Sequence, residues 1–168
     1  MTLDTISDVF AEQLGDLRSA EAQLLDALPK MVEAASSPAL KDAFKSHLDQ
    51  TLEHSNRIQE IIGSVDFSVP QEQCAAMKGL IAEGEKVIEE DGDGRVKDVA
   101  LIAAAQRVEH YEIAAYGTAR TLADQLGLGN AKRMLDDTLD EESQTDKLLT
   151  KLATGGILGT GINRLAEL

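Results

Sequence analysis

Ile102, Ala105, Tyr116, Ala119 and Ala123 recur at helical spacing through a segment running from about Val96 to Leu126, and Glu109 and Glu112 stand in the middle of that apolar stripe. Residues three apart sit one above the other on a helix, so both carboxylates face the way the stripe faces. A carboxylate taken out of water is costly unless a cation or hydrogen-bond donor meets it. Two of them one turn apart repel, so at least one pKa rises unless a cation lies between them. The pattern requires a helical core with a polar centre, and a bound metal ion is the simplest resolution.

Three more segments repeat the theme. A first helix starting near Thr5 carries the stripe Val9, Phe10, Leu14, Leu17, Leu24, Leu25 and Leu28, with Glu21 among its leucines. Pro29, lacking a donor, predicts a kink near its end. Ser37 at an N-cap and Pro38 at N1 open a second helix reaching about Ser64. Its stripe, Leu40, Phe44, Leu48, Thr51, Ile58 and Ile62, is flanked by His47 and His54, with Gln50 between them and Glu53 facing solvent. A shorter helix is expected over Gln71 to Glu90, followed by a turn at Asp91-Gly92-Asp93-Gly94. The last long helix, from about Asn130 to Thr154, places Glu142 and Asp146 in the stripe of Ala131, Leu135, Thr138, Leu139 and Leu149. Asp140 and Glu141 are expected to face outward.

No run of β-branched residues reads as a strand, and three prolines and 3 % aromatics among 168 residues suit an all-α chain rich in Ala and Leu. One domain of this length buries a sizeable core. The predicted architecture is an antiparallel four-helix bundle over 1–154, with one extra short helix and a Gly-rich tail over 155–168. In such a bundle the mid-helix groups converge at one height, and carboxylates with imidazoles are the ligand set of paired iron or manganese ions. The net charge of −14 argues against nucleic acid and anionic membrane surfaces. A single cysteine, Cys74, fits a reducing cytoplasm and a buried apolar role, and no apolar run is long enough to span a bilayer.

The stretches SAEAQLLDALPKM, FKSHLDQT, ALIAAAQRVEHYEIAAYGT and LDDTLDEESQTDKLL span nearly the whole chain. They resemble the YciF-type family of bacterial stress proteins, which is similar in fold to ferritin-like and rubrerythrin-like dinuclear-metal proteins. The resemblance implies a ferritin-like bundle and a homodimer. It also implies a metal site of Glu21 from the first helix, Glu109 and Glu112 from the third, and Glu142 and Asp146 from the last. At Gln50 family members often carry Glu, and the Glu-x-x-His pattern of ferritin-like proteins is replaced by Gln50-x-x-Glu53 and by Thr145. His47 and His54, with the Gln50 carbonyl, are then the candidate ligands of the second helix. The implied task is redox chemistry on peroxide or oxygen during stress.

Blander readings stand beside these. Glu109 and Glu112 can pair with Arg18 or Arg107, and Glu142 with Asp146 can belong to a buried network that fixes helix register. Tyr116 is expected to pack with its hydroxyl on a carboxylate. The functional alternative is a non-catalytic helical scaffold or oligomerisation protein with a vestigial or weak metal site.

Overall fold

The computed structural model describes residues 3–156 and 159–167, all helix, turn or connector. Among these residues four long helices and two shorter ones follow in order: α1 (Ile6–Ala34), α2 (Pro38–Ser64), α3 (Ala75–Glu89), α4 (Gly94–Gln125), α5 (Gly129–Thr154) and α6 (Ile162–Leu165). Local chemistry sets their starts. Thr5 and Asp8 exchange hydrogen bonds as a capping box ahead of α1. Ser37 caps α2 with Pro38 in its first turn, and Asp93, the last acid of the predicted turn, caps α4. Pro29 lies inside α1 without ending it. The shorter helix begins at Ala75, later than expected, because Cys74 serves as its N-cap.

The four long helices form the bundle, with α1 beside α2 and α4, and α5 beside α4 and α2. Two apolar clusters fill its ends. One joins Phe10 and Leu14 of α1, Ile58 and Ile61 of α2, Ala119 and Ala123 of α4, and Ala131 and Leu135 of α5. The other joins Met31, Leu40, Phe44, Leu101, Ile102 and Leu149. Each cluster therefore takes late residues of α1 and α5 with early residues of α2 and α4, or the reverse. Neighbouring helices run antiparallel, while α2 and α4 run parallel across the diagonal.

That parallel pair needs a connection the full length of the bundle. The links are thus not all short, as the sequence suggested, because residues 65–93 carry the chain back and α3 packs on α1 and α4 on the way. Gly15 lets this connection come close: a Cβ there would meet the Pro70 carbonyl oxygen at 2.8 Å. The crossover is pinned at its far end by Asp98, which is 1 % exposed. Its carboxylate accepts hydrogen bonds from Ser36 N and Ser36 Oγ at 2.7 Å and from Ser37 N at 2.8 Å, tying the start of α4 to the start of α2.

The tail also docks. Ile162 is buried in the second apolar cluster, beside Ala153, whereas Ile157 and Leu158 of the expected apolar patch lie outside the described residues. Among the described residues, no helix is long and apolar enough to cross a membrane.

Candidate metal centre

Between the two apolar ends lies a polar layer. Glu21, His47, His54, Glu109, Glu112 and Glu142 are all at most 3 % exposed. They come from α1, α2, α4 and α5, so all four bundle helices contribute. Two groups have ligand atoms within 4.8 Å of one another: His47, Glu109, Glu112 and Glu142 in one, and Glu21, His54 and Glu142 in the other. Glu142 belongs to both. Its Oε2 lies 3.9 Å from His47 Nε2 and its Oε1 lies 2.9 Å from His54 Nδ1. His47 Nε2 is also 3.2 Å from Glu109 Oε1, and His54 Nδ1 is 3.7 Å from Glu21 Oε1. The imidazole centroids are 6.5 Å apart.

These atoms approach one another without making hydrogen bonds. Ten buried side-chain atoms of the described residues have no hydrogen-bond partner. Nine belong to this layer: both oxygens of Glu112 and of Glu142, both nitrogens of His47, and one atom each of Glu21, His54 and Glu109. Buried polar groups are satisfied in the large majority of cases, so an orphan set concentrated at one height is a structural signal. The expected arginine partners are elsewhere. Arg18 donates to the Pro70 carbonyl, and Arg107 reaches Glu83 on the surface at 3.8 Å.

Charge follows geometry. Burial, reinforced by the charge on Glu142, raises the carboxyls of Glu109 and Glu112 well above the usual range. Burial likewise lifts Glu21 from 4.5 to about 8, although the Tyr116 hydroxyl donates to its Oε1 as expected. Burial also lowers the His47 pKa. At Glu142 burial acts upward but is outweighed by His54 and His47, so its pKa falls. At His54 burial acts downward and is outweighed by Glu142, so its pKa rises. The layer thus favours negative charge on Glu142, between the two imidazoles, and disfavours it on Glu21, Glu109 and Glu112.

The chain matches, over residues 5–160, the family model described as a domain of unknown function, DUF892. It is 47 % identical over 158 residues to protein YciF of Escherichia coli strain K12, covering 94 % of this chain and 95 % of that protein. The crystal structure of the E. coli stress protein YciF superposes with a TM-score of 0.89 at 45 % identity, covering 98 % of this chain and 99 % of that one. This chain belongs to the YciF family. A second solved structure, YcfI of Rhodopseudomonas palustris, proposed there to be a structural protein, superposes with a TM-score of 0.85 at 36 % identity, covering 90 % and 96 % of the two chains.

On α2 burial singles out which residues reach the layer. The residues it turns into the layer are His47, Thr51 and His54, while Gln50 is half-buried and Glu53 is exposed. The pair three residues apart that faces the layer is thus Thr51 with His54, while Gln50 and Glu53 face its rim and solvent. Gln50 sits at the edge of the layer, its Oε1 3.5 Å from Thr145 Oγ1. Asp146 does not join either group. It accepts from Gln106 Nε2 at 2.9 Å and lies 3.5 Å from His110 on the bundle surface.

Glu141, expected to face outward, instead accepts from His54 Nε2 at 2.8 Å and is gripped by Arg57 through contacts of 2.6 and 3.1 Å. Arg57 Nη1 also donates to Thr138 Oγ1 at 3.0 Å. In the neutral imidazole a proton on Nε2, directed at Glu141, leaves the electron pair of Nδ1 facing Glu21 and Glu142. Arg57 lies three residues after His54, and that spacing was the one sequence signal for this clamp.

Proposed function

We propose that the polar layer binds two divalent cations, iron or manganese. His47, Glu109 and Glu112 would hold one ion and Glu21 with His54 the other, with Glu142, which belongs to both groups, available to either. Gln50 and Asp146 would act at the rim, as carbonyl and carboxylate groups on the path into the layer. The nine unpaired buried nitrogen and oxygen atoms carry this reading, because six acids and imidazoles with oxygen and nitrogen donors suit such ions. The clamp Arg57–Glu141–His54 supports it, since a carboxylate behind a ligating imidazole fixes tautomer and ring orientation.

Bound ions of this kind supply one-electron chemistry toward peroxide or oxygen, and the stress association of the E. coli relative supports that use. The protein's own part is separable. The apolar ends exclude water from the layer. Tyr116 orients Glu21, and Glu21, Glu109 and Glu112, whose pKa values are raised, can hold protons within the layer.

Elemental analysis of the purified protein, beside the Glu109→Ala, Glu142→Ala double variant, tests the reading. Near-stoichiometric iron or manganese, lost in the variant, is the expected result. No uptake even after anaerobic loading with both ions would refute it. The absence of an imidazole on α5, where Thr145 stands, favours the second reading of a scaffold with a weak site, as does the structural role proposed for YcfI. The same measurement separates the two.

A further inference from the structure

Between α3 and the bundle lies a cavity of about 40 Å³, against the roughly 10–15 Å³ that one water-sized sphere needs. Leu28, Phe44, Ile81, Ala105 and Leu149 are among its walls, and His47 and Glu109 also line it. On the solvent side it is bordered by Lys30 and Glu85, exposed residues whose ion pair of 2.7 Å joins α1 to α3. A water molecule here finds few partners along the walls, and cavities lined by Leu, Ile and Phe stay dry and accept xenon or small apolar molecules.

The lining also includes polar atoms that lack partners. His47 and Glu109 are 3 % and 2 % exposed, and both nitrogens of His47 and Oε2 of Glu109 are unpaired. An apolar chamber that reaches unpaired ligating atoms is suited to a small apolar reactant.

The geometry points to this chamber as a dioxygen-binding site that delivers O2, in preference to hydrogen peroxide, to the His47–Glu109 side of the layer. The role of α3 follows: it is the wall that turns a groove between α1 and α4 into a partly enclosed pocket. The inference rests on the proposed metal centre for its use, but the pocket itself is testable without metal.

Crystals of the metal-free protein pressurised with xenon should show a bound atom between Leu28, Ile81 and Ala105. Ala105→Leu fills the space and should abolish it, whereas Ile81→Ala, a truncation on the outer helix, should raise xenon occupancy. In the iron(II)-loaded protein, Ala105→Leu should slow oxidation by O2 about tenfold and change oxidation by hydrogen peroxide less than about twofold. An empty wild-type pocket under xenon would overturn the inference. So would equal slowing with both oxidants, or unchanged O2 rates in a variant that has lost xenon. Xenon in the pocket of a protein that takes up neither iron nor manganese would uphold the chamber and refute the metal centre, so the two failures are distinguishable.

Discussion

Replacing Glu21 by Gln should make the metal-free protein more stable and the metal-loaded protein less stable. Glu21 is fully buried, and its carboxyl is raised from 4.5 to about 8, chiefly by burial. A carboxyl raised in the folded state adds stability that is fully present below its ordinary value and is lost as pH rises toward the folded value. Between 4.5 and 7 the folded protein therefore gives up about 3 kcal/mol on this group, since each pH unit in that window is worth about 1.4 kcal/mol.

Gln mimics the protonated acid and keeps an oxygen to accept from Tyr116, so the variant escapes that loss. In chelator, urea unfolding should show Glu21→Gln ahead by up to about 3 kcal/mol near pH 7 and by less than about 1 kcal/mol near pH 5. With saturating iron or manganese the order should reverse, because the wild type gains binding energy that the variant has partly lost. A metal-free variant less stable than the wild type near pH 7, or a difference that does not shrink near pH 5, would refute the assignment of Glu21 as a strained buried acid.

Two further outcomes follow from the surroundings of the layer. Glu141→Ala leaves His54 Nε2 without its acceptor and should weaken metal binding by about 10–100-fold, read by competition with a chromophoric chelator; unchanged affinity would show that the clamp does not act on the ligand. Asp98→Ala strands the donors of Ser36 and Ser37 and should cost about 2–3 kcal/mol in urea unfolding with metal content unaltered, and an unshifted midpoint would remove Asp98 as the tie between α2 and α4.

The amino-acid sequence by itself determined the helices and the height of the polar layer. Apolar residues at helical spacing fix which face of each helix is buried. Glu21, Glu109, Glu112 and Glu142 stand within those faces, so their burial was readable before any packing was known. The caps at Thr5 and Ser37 are equally local, because a short side chain bonding a nearby backbone N–H needs nothing from the rest of the chain.

Only the tertiary structure decided which residues on the margins of a stripe turn inward. Thr51 already stood in the stripe of α2, but the placement of α5 against α2 left the adjacent Gln50, about 100° around the helix, at the rim of the layer and not within it. The same packing carried Glu141 onto His54 and left Asp146 at the surface with His110. The long crossover and the pocket beneath α3 were likewise invisible to periodicity. Helical spacing describes one helix at a time, while the diagonal pairing of α2 with α4 is a property of how four helices share one core.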